Sequence, residues 1–131
     1  MKKIAFVISI ILLVTGCSSS ADKQKQEQLE LLASSRASVI SSELPLEFGP
    51  LSVMRAISKG STVEIMMIYN SDHQGAKPID QVLKTSINAY CSDSLTKSNL
   101  DIGLTYRIQI RNNRGQLMID QFVTKESCTV Q

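Results

Sequence analysis

The sequence predicts a single α+β domain of element order α-β-β-α-β-β, with helices packed on an antiparallel sheet and one disulfide. Three observations predict this fold class. Two stretches repeat apolar residues at helical spacing, four runs are rich in strand-forming residues, and two cysteines remain once a third is assigned to a lipid. The 131 residues are enough for one such domain and too few for two.

The N-terminal stretch has the pattern of a bacterial lipoprotein signal. Lys2 and Lys3 give it a positive start, and the apolar run that follows, residues 4–14, is too short to span a bilayer. It ends in Val14-Thr15-Gly16-Cys17, which has the form of a lipobox. An ordinary cleaved signal peptide, or a membrane anchor with a cysteine there by chance, is the alternative.

We expect residues 1–16 to be removed as the signal peptide and Cys17 to be acylated. Two or three acyl chains, at about 0.8 kcal/mol per buried methylene, would hold the protein on a membrane permanently. Ser18, rather than an aspartate, follows the cysteine, which favours the outer membrane. Without Lys2 and Lys3 the mature chain has 12 basic and 12 acidic residues, so its charge gives no reason to expect a nucleic-acid partner.

The two remaining cysteines, Cys91 and Cys128, are predicted to form a disulfide. They are an even pair in an oxidising compartment, and no Cys-x-x-Cys motif suggests a catalytic thiol. Two unpaired thiols or a redox pair are the alternatives.

The first part of the mature chain is predicted to be a polar spacer followed by a helix. Residues 17–28 carry almost no large apolar side chain and are expected to form a flexible tether ahead of a domain at 29–131. The helix then presents one apolar stripe and ends at Pro45, before Gly49-Pro50. The stripe consists of Leu29, Leu32, Ala33, Ala37, Ile40 and Leu44. Core packing is its expected role, and a partner-binding helix is the alternative.

A β-hairpin and a second helix are predicted next. The runs 51–58 and 62–69 are rich in strand-forming residues and flank a Lys59-Gly60 turn. After a polar loop at 71–77, Pro78 stands where a helix begins. One face of that helix carries Ile79, Val82, Leu83, Ile87 and Tyr90.

The rest of the chain predicts a second strand pair. Residues 104–111 alternate strictly between apolar and polar, 112–115 supply a turn, and 117–123 form the partner strand. Residues 92–101 are ambiguous, and are interpreted as a loop with one short turn or an edge strand.

If the helices cover only one face of the sheet, the other face carries an apolar, methionine-rich strip. Methionine adapts to irregular surfaces, so such a strip is a hypothetical partner-binding site. Its members are Met54, Met66, Ile68, Met118 and Phe122. The alternative is that the helices cover both faces.

The sequence argues against catalysis and against a bound cofactor. His73 is the sole histidine and lies in the polar loop, so one chain offers no metal site with two histidine ligands. The sequence contains no glycine-rich phosphate-binding loop and no residues at the spacing of a metal-binding motif.

Several short motifs, in this order and spacing, give the mature region its resemblance to a known family. They are the lipobox ending at Cys17, Leu31-Leu32-Ala33, Leu44-Pro45, Ser61-Thr62-Val63, Cys91-Ser92-Asp93, the stretch 103–108 and Cys128. The chain resembles the beta-class (AspS-type) pilotins of bacterial type II secretion systems over nearly all of its mature length. Residues 71–77 are not matched by any of these motifs, so the resemblance assigns no role to His73.

The resemblance implies a small outer-membrane lipoprotein that binds the C-terminal segment of the secretin subunit and guides its targeting and assembly. It also implies lipidation of Cys17 and a structural disulfide between Cys91 and Cys128. The alternatives are a structural lipoprotein that binds another envelope protein, or an inhibitor-type lipoprotein that uses the loop at 71–77.

Overall fold

In residues 18–129, which the computed structural model describes, five strands form one sheet in the order in which they occur along the chain. Three α-helices and a terminal 3-10 turn accompany the sheet. The elements are α1 (Ser18–Ser42), β1 (Leu46–Phe48), β2 (Leu51–Lys59), β3 (Thr62–Tyr69), α2 (Ile79–Ser92), α3 (Ser94–Asp101), β4 (Thr105–Asn112), β5 (Leu117–Val123) and the 3-10 turn Lys125–Cys128. The predicted fold class is confirmed, and Cys17 lies outside the described residues.

The sheet is mixed, whereas the sequence predicted an antiparallel one. Neighbouring strands are antiparallel except β3 and β4, which run parallel from the pair Thr62 and Thr105 to the pair Tyr69 and Asn112. The chain between these strands forms α2 and α3, and such a helical crossover returns the chain to the starting end of the sheet. Both predicted hairpins, β2 with β3 and β4 with β5, are present.

Helix α1 begins at Ser18, so the segment predicted as a flexible tether is helical from that residue onwards. The helix lacks glycine and proline, and residues 22–28 consist mostly of glutamine, lysine and glutamate, which favour helix even where they pack against nothing. Gln26 Nε2 donates a hydrogen bond to Glu30 Oε1 at 3.0 Å, and the side chains of residues 20–28 are exposed. The polar composition correctly predicted that this segment is exposed to solvent. It did not show that the segment is a helix rather than a coil.

Helix α3 occupies most of the stretch that the sequence left ambiguous. Asp93 precedes its first residue, and the Asp93 carboxylate accepts hydrogen bonds from the Thr96 backbone N–H at 2.9 Å and from the Thr96 hydroxyl at 2.7 Å. This is an N-cap, which satisfies a backbone donor that a helix start otherwise leaves unpaired. These hydrogen bonds, from the side chain first and the backbone second, lower the pKa of Asp93 below its ordinary value of 3.8.

We expect the Asp93 cap to make stability depend on acid pH. A carboxyl with a lowered folded-state pKa stabilises the fold above its ordinary pKa, and that contribution disappears as the pH falls through the lowered value. The amide side chain of an Asp93→Asn variant still caps the helix but does not titrate. Urea unfolding at pH 7, 4 and 3 should therefore show a smaller acid loss of stability in Asp93→Asn than in the unaltered protein. Equal losses in both proteins would contradict the assignment.

One face of the sheet carries the hydrophobic core. Asn99 Nδ2 donates a hydrogen bond to the Tyr106 hydroxyl at 3.2 Å, and Tyr90 packs edge-on against Tyr106 at 5.2 Å between ring centres. The core residues of the two central strands alternate along each strand and meet Ala33 and Ala37 of α1 and Leu100 of α3. They are Val63, Ile65, Met67 and Tyr69 of β3, and Tyr106, Ile108 and Ile110 of β4.

All three helices contribute to this single core, so the opposite face of the sheet has no helix over it in the described part of the chain. The alternative in which the helices cover both faces is therefore wrong.

Cys91, in the last turn of α2, forms a disulfide with Cys128 of the 3-10 turn, with 5.4 Å between their Cα atoms. The bond ties the end of α2 to the end of the described chain.

Candidate functional site

An apolar groove lies between α1 and α2 on the helix-covered side of the sheet. It has a volume of about 420 Å³, and its floor is the sheet itself. The side chains that line it come from both helices and from β1, β2 and β3. They are Ile40, Leu46, Phe48, Leu51, Val53, Ile65, Met67, Thr85, Ser86, Ala89 and Tyr90.

Small side chains on α2 keep this groove open. Thr85, Ser86 and Ala89 face it, where larger residues would fill the gap between the helices. The Ser86 hydroxyl donates to the Val82 carbonyl at 2.8 Å, so this polar group is satisfied within the helix. On the opposite rim, Phe48 of the short strand β1 is 60% exposed. A large exposed aromatic beside an apolar groove is typical of a protein-binding surface.

The groove continues past Tyr90 into a second cavity of about 250 Å³ with a polar end. Arg36, Asp93 and Thr96 line that end, while Ile40, Ile65, Ala89 and Tyr90 belong to both cavities. Burial is the main cause that raises the pKa of Tyr90, so its hydroxyl stays protonated at neutral pH. The site therefore combines a long apolar part with a polar end that carries one cation, Arg36, and one carboxylate, Asp93.

The hypothetical strip lies on the uncovered face of the sheet. Three of its five members are well exposed, namely Met54 at 43%, Met118 at 40% and Phe122 at 50%. Met66 and Ile68 are half-buried on the middle strand. The structure thus brings the five residues to one face, and their partner-binding role stays a prediction.

Charged side chains interrupt this strip. The Arg107 guanidinium donates to both oxygens of Asp120, at 2.6 and 2.7 Å, and to Glu64 at 3.3 Å, while Lys59 also pairs with Glu64 at 3.3 Å. Hydrogen bonding from Arg107 is the main cause that lowers the pKa of Asp120. Arg107 also lies 5.2 Å from the centre of the Phe122 ring. This face is therefore an ion-paired surface with apolar residues between the charges.

The described residues offer no groups arranged for metal chemistry. No cluster of three or more histidine, cysteine or acidic side chains that could hold a metal ion occurs in 18–129. His73 is exposed, and its Nδ1 lies 2.8 Å from the Gln74 carbonyl oxygen. Over the same range, no helix has the length and apolar character needed to cross a membrane.

The sequence did not reveal the groove, because its floor consists of residues whose pattern predicts core. Ile65 and Met67 alternate as strand residues facing a helix layer, and nothing in their spacing shows where that layer has a gap. Two signals were available. Phe48 is a large apolar residue beside a Gly-Pro turn, and α2 carries small residues on the side next to its apolar face.

Two family models match the chain. A model described as "Prokaryotic membrane lipoprotein lipid attachment site" matches residues 1–18, so the chain begins with a lipoprotein attachment signal. A second model, "Type II secretion system (T2SS) pilotin, S protein", matches residues 25–128. That match spans nearly the whole described domain, and the chain therefore belongs to the family of type II secretion system pilotins.

Known relatives agree with this family. Pilotin AspS 2 of Escherichia coli O78:H11 is 27% identical over 127 residues, which are 97% of this chain and 90% of that protein. The pilotin EpsS of the Vibrio vulnificus type 2 secretion system is 56% identical, with a TM-score of 0.79 over 83% of this chain and 99% of its own. The pilotin AspS of Vibrio cholerae is 60% identical, with a TM-score of 0.79 over 82% of this chain and 99% of its own.

Proposed function

We propose that this protein is an outer-membrane pilotin that binds the C-terminal segment of the type II secretion secretin and guides its targeting and assembly. Membership of the pilotin family and the lipid attachment signal support this function. Cys17 is then the lipidated residue, and Ser18 after it supports delivery to the outer membrane. The protein acts as a binder with a membrane address rather than as an enzyme.

The observation that carries this proposal is the apolar groove between α1 and α2. Two helices and the sheet already supply two walls and a floor, so an amphipathic helix laid along the gap completes the helix layer. Its apolar side chains would meet Ile40, Met67 and the exposed ring of Phe48. Because the groove is formed before the partner arrives, little ordering cost falls on the pilotin side.

The strip on the uncovered face is the second candidate surface for the same partner. Met54, Met118 and Phe122 are exposed there, which favours a contact. An occupant of that face must, however, lie over the ion pairs of Arg107 with Asp120 and Glu64, and burying charges is costly. The groove imposes no such cost along its apolar part, so we place the secretin segment there.

Titration calorimetry tests the function directly. The chain from residue 18 to 131 is titrated with a peptide from the C-terminal end of the secretin encoded in the same genome. Saturable binding with one peptide per domain is expected. Absence of heat, together with an unchanged melting temperature at high peptide concentration, would contradict the proposal.

A pair of charge substitutions on opposite faces distinguishes the two surfaces. Thr85 is exposed and lines the groove, whereas Met54 is exposed on the uncovered face. We expect Thr85→Glu to weaken peptide binding at least tenfold, since a docked apolar segment would strip water from the new carboxylate. Met54→Glu should bind as the unaltered protein does.

Both substitutions add one negative charge at an exposed position, so each variant is the control for the other. Their melting temperatures are compared to show that neither substitution unfolds the domain. Loss of binding in Met54→Glu alone would move the site to the uncovered face.

Deletion of the loop at 71–77 separates a pilotin from an inhibitor-type lipoprotein. An inhibitor would insert a protruding loop into its target, and this exposed polar loop is the candidate that the sequence named. The groove lining does not include it. We therefore expect a variant with a shortened loop to retain peptide binding, as measured by the same calorimetry.

A further inference from the structure

Arg36 of α1 lies at the polar end of the groove without a full set of partners. Its side chain is half-buried, and Nε is buried and makes no hydrogen bond. Among the buried side-chain nitrogen and oxygen atoms of the described residues, this is the one left unsatisfied. The ion pairs found in the same part of the chain do not include Arg36. An unpaired N–H of a cation is among the most costly groups to bury.

The groups around Arg36 do not satisfy its Nε. The carboxylate on the cavity wall, Asp93, accepts two hydrogen bonds from Thr96 through Oδ2 and serves as the cap of α3. The charge of Arg36 helps to lower the pKa of Asp93, but it is the last of the causes, after the Thr96 hydrogen bonds. The protonated hydroxyl of Tyr90 brings no negative charge to the cavity. Arg36 is thus a cation with an unsatisfied Nε at the end of an apolar groove, and the carboxylate on the same cavity wall, Asp93, does not bond that Nε.

We propose that Arg36 is the specificity-determining residue of the groove, and that the secretin segment places an aspartate or glutamate side chain on its guanidinium. Nε then donates to a carboxylate oxygen of the partner. This inference rests on the proposed function, since it assumes that the groove holds that segment. A hydrogen bond between two charged groups in such a site is roughly twice as strong as one between neutral groups.

The position of Arg36 on α1 predicts how far the partner's acidic residue lies from its apolar anchor. Arg36 and Ile40 are four residues apart, so they lie one above the other on the same side of α1. A helix lying along α1 would therefore carry its acidic side chain three or four residues from an apolar anchor seated at Ile40. An aspartate or glutamate side chain can reach Arg36 from any position in the segment. The C-terminal carboxylate of the partner could do so only if the partner chain ended at Arg36.

Binding measurements with paired protein and peptide variants test the role of Arg36. The unaltered chain from residue 18 to 131 and its Arg36→Met variant are each titrated with the secretin peptide and with a copy whose acidic residues are replaced by the matching amides. We expect Arg36→Met to weaken binding of the acidic peptide roughly 10- to 100-fold. The same substitution should change binding of the amide copy less than threefold.

Melting temperature separates this role from a structural one. Methionine fills similar space without a buried N–H, so Arg36→Met should melt at the same temperature or higher. A lower melting temperature with equal weakening of both peptides would assign Arg36 to folding and overturn the inference.

Two further results would also overturn it. Undiminished binding of the acidic peptide by Arg36→Met would show that the groove does not use this cation. A loss reproduced by amidating only the peptide C-terminus would assign the carboxylate to the chain end. Failure of the unaltered protein to bind any of these peptides would instead reject the proposed function on which the inference depends.

Discussion

Replacing both Cys91 and Cys128 with serine is expected to lower the free energy of unfolding by about 4 kcal/mol. The disulfide closes a loop of 37 residues, and the estimate is the chain entropy that such a loop removes from the unfolded state. For a domain of this size the melting temperature should fall by roughly 20 °C. Urea and thermal unfolding of the double variant and the unaltered protein measure both quantities.

The double substitution is required because a single one leaves a thiol that can pair between molecules. Reduction of the unaltered protein provides the matched control, since it breaks the same bond without changing the sequence around it. A loss below about 1 kcal/mol in both experiments would mean that packing of α2 against the core holds the two ends together without the bond.

Replacing Cys17 with serine, in a chain whose residues 1–16 are exchanged for an ordinary cleaved signal peptide, is expected to abolish membrane attachment. The lipid attachment signal matches residues 1–18, and acyl chains on this cysteine are the proposed anchor. The variant should appear in the soluble periplasmic fraction, while the unaltered protein sediments with membranes. Assembly of the secretin in the outer membrane should fall with it, because the complex of pilotin and secretin segment then carries no membrane address.

A Ser18→Asp variant is the matched control for this experiment. It keeps Cys17 and the acyl chains but has an aspartate after the cysteine, which is expected to retain the protein at the inner membrane. Both variants should bind the secretin peptide as the unaltered protein does. Sedimentation of Cys17→Ser with membranes would contradict the proposed anchor.

Elements with strong periodicity could be predicted from the sequence, because burial on one side leaves a repeating pattern. The strict alternation from Leu104 to Arg111 marks a strand with one buried face, and β4 is that strand. Gly60 marks the turn between β2 and β3, where its backbone has φ of 56°, a conformation that costs glycine little. The disulfide was predictable because the lipobox cysteine left an even pair.

The elements that were not predicted are stabilised by single local contacts or by distant ones, and neither produces a repeating apolar pattern in the sequence. Helix α3 is eight residues long and is held by the Asp93 cap and by Leu100 in the core, while β1 has three residues and pairs as an edge strand with β2. The parallel pairing of β3 with β4 is decided by the path of the chain through α2 and α3. No local pattern in either strand reports that path.

The candidate site was the least predictable part, because a groove is a gap between elements. The sequence identified which residues lie on the uncovered face but not that Arg107 and Glu64 would pair among them. It likewise assigned Ile40 to a stripe that packs on the core, and Ile40 is partly buried against the core while also lining the groove. Arg36 carried no signal at all, since its unsatisfied Nε appears only when α1 is placed beside α2.

Helix α1 runs without a break from the residue after the proposed lipid anchor, Cys17, to the groove. It begins at Ser18, and at 1.5 Å per residue about 33 Å of helix separate that residue from Ile40, which lines one wall of the groove. A coil of the same number of residues would leave the distance between Ser18 and the groove variable, whereas a helix fixes that distance. With the proposed lipid anchor on Cys17, each copy would therefore hold its groove within the same reach of the membrane surface.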